Sequence, residues 1–136
     1  MKKMIPKFRA YSVKENIMYY PDEDKNVEWT IDDDTGFIAP LINLENGMWG
    51  MIDKYVLMQS TGLKDKNGVE IFEGDVLYYI PFESHINDSI VVFEKGSFCK
   101  KMLRNGKLTS VRFIDSEEYE VIGNVYENPE LLEGTE

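Results

Sequence analysis

This sequence predicts a mainly β fold: a small, partly open barrel with SH3-like features, an N-terminal hairpin and a short C-terminal helix. Three observations lead there. Short runs of alternating or wholly apolar residues recur between turn signals. No amphipathic helical pattern holds beyond two turns. A Gly74-Asp75 pair opens a hydrophobic run in the manner of the first strand of SH3-like barrels, the Gly permitting a sharp turn and the Asp tying down adjoining amides. The chain has 136 residues, of which 43% are hydrophobic, with seven Phe, eight Tyr and two Trp; that suits one domain with a real core and excludes a disordered acidic polypeptide.

In order, Phe8–Tyr11 and Ile17–Tyr20 flank a turn at Lys14-Glu15-Asn16 and predict the N-terminal hairpin. Val27–Ile31 alternates, and Asp32-Asp33-Asp34-Thr35-Gly36 stops it as a hairpin tip. Residues 37–52 are apolar without a clean period; Asn46-Gly47 suits a type I′ turn, and Trp49 with the neighbouring Met residues suits either core or a contact surface. Tyr55–Gln59 predicts a strand, followed by a polar loop over 60–68. Val69–Phe72 leads to Glu73-Gly74-Asp75, and Val76–Ile80 and Ile90–Phe93, apolar on both sides, predict covered central strands. Pro81 ends the first of these. Phe98–Leu103 and Leu108–Ile114 flank Arg104-Asn105-Gly106-Lys107, a strong signal for a two-residue hairpin turn. Glu120–Tyr126 reads as the last strand, with Gly123 marking a bulge or a close backbone approach. Asn128 as cap, Pro129 at the first helical position and Glu130 at the positive dipole end then predict a helix stub with Leu131 and Leu132 as its apolar foot. The whole reads as one unit, 1–136, within which residues 1–54 suit a hairpin appendage packed on a barrel over 55–136.

Net charge is −10, and it is zoned. Residues 1–20 carry +4, residues 21–94 carry −12, residues 95–114 carry +6 and residues 115–136 carry −8. Lys95, Lys100, Lys101, Arg104, Lys107 and Arg112 make the positive block, which holds no acid. Such a block suits a nucleic-acid or partner contact. It equally suits the solvent face of a hairpin guarded against edge pairing, or a match for the acidic tail. No apolar run spans a bilayer and the basic start lacks an apolar signal region, so a soluble, cytoplasmic chain with no membrane contact is expected.

Catalytic chemistry is hard to assemble. One Cys and one His exclude a disulfide framework and zinc sites needing several of either. His85 beside Ser84 sits in a polar loop and reads as a surface residue. Cys99 beside Lys100 and Lys101 suits either an activated thiol or a small core residue. Asp32-Asp33-Asp34 fails as a calcium loop because its twelfth position is Asn43, and Asp65-Lys66-Asn67-Gly68 fails similarly. There is no phosphate-cradling Gly-rich loop. Catalytic, metal and cofactor sites are therefore expected to be none.

Several stretches resemble the YopX family of phages and prophages of low-GC bacteria. They are Ile5–Tyr11, Met18–Tyr20, the run Leu57-Met58-Gln59-Ser60-Thr61-Gly62-Leu63-Lys64-Asp65-Lys66-Asn67-Gly68, Ile71–Val76 and Val121–Leu132. The resemblance implies a mainly β fold and a phage or prophage setting within a bacterial host, and carries no catalytic residues over. Within these motifs Gln59, Ser60, Thr61, Gly62, Gly74, Asp75, Gly123, Asn128 and Pro129 are expected to be structural, with Gln59, Ser60 and Thr61 lining a groove as the other reading. The leading expectation is a phage accessory acting as a non-enzymatic, oligomeric binding or assembly module for an unknown phage or host macromolecule. The alternative is a nucleic-acid binder using the basic hairpin 95–112, with Phe98 or Phe113 for stacking. A carboxylate-and-metal hydrolase or nuclease is the third reading.

Overall fold

The computed structural model describes residues 7–20, 27–31, 38–44, 48–51, 55–82 and 84–132, with side chains over 7–20, 55–82 and 84–132. It is mainly β, as expected, and the chain divides into two compact units, Met1–Gln59 and Ser60–Glu136.

In the first unit, β1 (Phe8–Ser12) pairs antiparallel with β2 (Ile17–Tyr19), giving the expected hairpin. Its turn closes through Asn16 N–H to the Ser12 carbonyl at 2.8 Å, with Asn16 at φ 57°, a left-handed conformation that Asn tolerates. Ala10, Tyr11 and Ser12 are buried, and the Tyr11 hydroxyl donates to Asn16 Oδ1 at 2.9 Å. The strand β3 (Val27–Ile31) pairs with β4 (Ile38–Leu44), which pairs with β5 (Met48–Met51). β4 was not legible in advance because Pro40, which has no N–H to donate, stands in its middle. The expected turns at Asp32–Gly36 and Asn46–Gly47 lie outside the described residues.

β6 (Tyr55–Lys64) pairs with β1 through its first half, Phe8 opposite Gln59 to Ser12 opposite Tyr55. The predicted polar loop from residue 60 is a correction: the strand continues to Lys64. Its second half pairs with β7 (Glu70–Phe72) across an irregularity between Ser60 and Lys64. Gly62, at φ 82°, makes that irregularity, and side chains replace the missing ladder bonds. Ser60 Oγ accepts from Gly62 N–H at 3.0 Å, while Thr61 Oγ1 accepts from Leu63 N–H at 3.1 Å and donates to the Ile71 carbonyl at 2.8 Å.

The second unit continues through β8 (Asp75–Tyr79), β9 (Ser89–Glu94), β10 (Ser97–Met102), β11 (Leu108–Ser110) and β12 (Tyr119–Asn124). They form one antiparallel sheet in the order β11-β10-β9-β8-β12, curled into a half-barrel. β8 and β9 are central, as their two-sided apolar character predicts. Ile71, Leu77, Val91 and Tyr119 form the buried core, with Leu63, Tyr79, Phe98, Ile114 and Val121 packed against them.

Three elements depart from expectation. The Asn105-Gly106 hairpin exists, but only Gly106 takes positive φ, at 71°. The connection is therefore a longer loop, closed by Met102 N–H to the Lys107 carbonyl at 2.9 Å. The primed two-residue turn lies instead at Lys95 (φ 53°) and Gly96 (φ 80°), between the paired Glu94 and Ser97. The expected strand 108–114 stops at Ser110, whose Oγ accepts from Arg112 N–H at the start of a 3₁₀ turn, Val111–Phe113. The C-terminal helix is only a 3₁₀ turn, Pro129–Leu132. Asn128 does not cap it: its Oδ1 accepts from Asn124 N–H at 3.2 Å, directed back at the strand end.

Asp65 is the staple that sequence reading passed over. It is 4% exposed, its Oδ1 accepts from Asn67 and Val69 N–H, both at 2.8 Å, and its Oδ2 accepts from Val121 N–H at 2.9 Å. Asp65→Ala leaves three amides short of an acceptor and is expected to cost about 2–4 kcal/mol in urea unfolding, against a near-neutral Lys66→Ala control. Gly123 sits at a register shift of β12, and a Cβ there would lie 2.5 Å from Asn128 Oδ1 and 2.8 Å from Leu131 Cδ1. Gly123→Ala is expected to lower stability by about 1–3 kcal/mol and to displace the Pro129–Leu132 turn, visible as amide shifts confined to that end.

Candidate functional site

Strand alternation in β10 decides what faces the concave side of the second unit. Phe98 and Lys100 point toward the core face, Cys99 and Lys101 away from it. Lys100 lies opposite Val91, and its ammonium stands 5.4 Å from the centre of the Tyr119 ring, with Met102 Sδ at 3.8 Å. Tyr119 packs on Tyr79 at 5.2 Å between ring centres. These groups floor an open groove of about 510 Å³. Its walls carry Phe82 and Phe113, which are 53% and 80% exposed, and Asp115 and Glu118 bring two carboxylates to it. Asn87 and Thr109 add neutral polar groups. The volume is within the range of small-ligand and peptide-anchor pockets.

Electrostatics follow from burial. Partial burial lowers the Lys100 pKa from its ordinary 10.5, and among the described residues no carboxylate comes within ion-pair distance of it. Burial raises the Tyr119 phenol above 10.0, and the negative charge of Glu118 adds to the rise. The ring system therefore stays neutral at physiological pH.

The six cations of the basic block are not gathered in one place. Lys95 sits in the turn at one end of β10, while Arg104 and Lys107 sit in the loop at the other, about 20 Å away for a six-residue strand. Lys100 faces the groove, Lys101 lies on the opposite face with Glu94 at 3.9 Å, and Arg112 is on the exposed 3₁₀ turn beside Phe113. Phe98 packs edge-on against Phe93 at 5.0 Å and contributes to the core, whereas Phe113 is open to solvent.

The remaining motif residues spend their polar groups on the backbone. Gly74, at φ 90°, donates its N–H to the Val91 carbonyl and accepts from Val125 N–H, at 2.8 and 3.0 Å. Asp75, 1% exposed, accepts from Phe72 N–H at 2.7 Å. Gln59 sits opposite Phe8, and Pro129 opens the last turn. Cys99 is buried, 7% exposed, with its sulfur against backbone oxygens of Glu94 and Ser97. Among the described residues no cluster of three or more His, Cys, Asp or Glu is arranged to hold a metal ion.

Sequence reading missed two features. The groove escaped it because Tyr79, Phe82, Lys100, Phe113 and Tyr119 come from separate elements with no shared spacing. It also missed the pair His85–Asp88, three residues apart on the 3₁₀ turn His85–Asn87, with Nδ1 to Oδ2 at 2.9 Å and the imidazole 4.8 Å from the Tyr78 ring. The His85 side chain is 72% exposed, whereas Asp88 is buried.

A small β protein with a curled open sheet and an aromatic groove is the class defined so far. The family model described as "YopX protein" matches residues 7–133, and the chain belongs to the YopX family. A crystal structure of protein EF1440 from Enterococcus faecalis is similar at 35% identity, covering 96% of this chain and 99% of that one, with a TM-score of 0.63. The crystal structure of protein yopX from Bacillus subtilis, at 23% identity, shares the fold over 98% of this chain and 100% of its own, with a TM-score of 0.67. No curated protein matches the chain.

Asp88 sets a pH test. Burial raises its pKa above 3.8, opposed by the hydrogen bond and charge of His85. A carboxyl whose folded pKa exceeds its unfolded value contributes stability that is full below the unfolded pKa and lost as pH rises through the folded one. Asp88→Asn removes that titration. Its stability relative to wild type is expected to improve from acid toward neutral pH, read from urea midpoints across that range; a pH-independent difference would refute the assignment.

Proposed function

We propose that this YopX-family chain is a non-enzymatic binding and assembly module, working in the phage or prophage setting that the family resemblance implies, in the host cytoplasm. The groove of the second unit carries the reading. Phe113 and Phe82 stand exposed beside a cavity, which desolvation on binding would reward. The conspicuous polar residues elsewhere (Asp65, Asp75, Thr61, Asn124) are occupied with backbone groups and are not positioned as reacting groups. Val13 and Ile17 on the first hairpin, 56% and 44% exposed, add apolar surface suited to assembly.

Nucleic-acid binding through 95–112 draws less support, since those cations lie at both ends and on both faces of β10. Size-exclusion chromatography with light scattering is expected to give a multiple of 15.8 kDa. Val13→Ser with Ile17→Ser is expected to reduce that mass. A plain monomer for the unsubstituted chain removes the assembly half of the proposal and leaves the groove to be tested separately.

A further inference from the structure

We infer that the groove receives a basic segment of a partner protein, an Arg or Lys side chain entering among the rings of Phe82 and Phe113 to meet Asp115 and Glu118. This rests on the reading of the groove as the binding face, and names its occupant by charge and ring chemistry. Two carboxylates and one ammonium line the groove, so its formal charge is negative. The ammonium is already placed on the floor, against Tyr119 and Met102. That contact shows the rings of this groove accepting a cation on a π face, the interaction a guanidinium would repeat on the exposed Phe rings.

The lining is drawn from two charge zones: Lys100, Met102, Thr109, Phe113 and Ile114 belong to the block at +6, and Asp115, Glu118 and Tyr119 to the segment 115–136, which carries eight acids and no base. The side of the groove formed by Asp115 and Glu118 is therefore the one that attracts a cation. The second cation belongs on the Asp115 and Glu118 side, since placement beside Lys100 would add repulsion to an ammonium already disfavoured by burial. A groove of about 510 Å³ exceeds one Arg side chain and has room for an apolar neighbour against Ile114 or Met102. The expected segment therefore mixes Arg or Lys with aliphatic residues.

The test uses the full chain and three labelled probes followed by fluorescence anisotropy: an Arg/Leu peptide, its Glu/Leu counterpart and an oligothymidine strand. The Arg/Leu peptide is expected to bind saturably and to weaken with added salt. Asp115→Asn with Glu118→Gln is expected to weaken it about tenfold, and Phe113→Ala by a similar factor. Glu94→Gln, a carboxylate outside the groove, is expected to leave it unchanged. Phe113 is exposed, and Asn at position 115 keeps an oxygen to accept from Glu117 N–H, so these variants are expected to keep the fold, which circular dichroism verifies. Absence of saturable Arg/Leu binding, or binding indifferent to the groove substitutions, overturns the inference. If the acidic peptide, the DNA strand or a second copy binds instead and Phe113→Ala abolishes it, the groove stands as a binding face and the basic partner is wrong. If Phe113→Ala alters neither probe binding nor mass, the groove reading falls as well.

Discussion

Hydrogen bonds from backbone amides to buried side chains are the constraint on which the C-terminal unit depends. Asp65, Asp75 and Asn124 are nearly or wholly sealed from solvent, and each accepts hydrogen bonds from backbone amides. Asn124 Oδ1 takes Tyr126 and Glu127 N–H, at 3.0 and 2.8 Å, where β12 ends. A buried amide with no acceptor costs as much as several good contacts provide, so these three side chains decide whether the loops can close at all. Charge-assisted bonds to a carboxylate are the stronger kind, and the longest-range of them, Asp65 to Val121, joins segments 56 residues apart.

The same bonds position the groove. Asp65 Oδ2 holds Val121 N–H, and Lys66 N–H donates to the Tyr119 carbonyl at 3.0 Å, so both outward-facing backbone groups of that stretch of β12 are satisfied. Tyr119 is thereby fixed between two tethered points, and its ring supports Tyr79 and Lys100. The groove floor is thus tied to a loop staple on the far side of the strand. The walls differ: Phe82 and Phe113 ride on single 3₁₀ turns, Ile80–Phe82 and Val111–Phe113, with few backbone bonds of their own.

Much of the fold was legible because strand physics is local. The first hairpin, the central character of β8 and β9, and the role of Gly123 followed from alternation, two-sided apolarity and a missing Cβ. The misses share a cause: long-range contacts overrode local preference. Ser60–Lys64 reads as loop by composition, yet stays in the sheet because Ser60 and Thr61 replace its lost ladder bonds. The Asn105-Gly106 signal was right about a hairpin and wrong about its turn, while the tightest turn fell at Lys95-Gly96, where Lys is a poor left-handed residue tolerated by flanking strand pairs. Asn128 suits a cap by type, and Gly123 drew it to the strand instead. Of the site, only the basic character of Lys100 and the ring of Phe113 were visible beforehand. Nothing in linear spacing says that they share a cavity with Tyr79 and Tyr119.

Placing Phe82 and Phe113 on turns that bear no part of the staple separates two kinds of selection. Substitution at the lip changes the groove's surface while the amide tethers stay untouched. The fold thus keeps its most exposed rings apart from the bonds that close its loops.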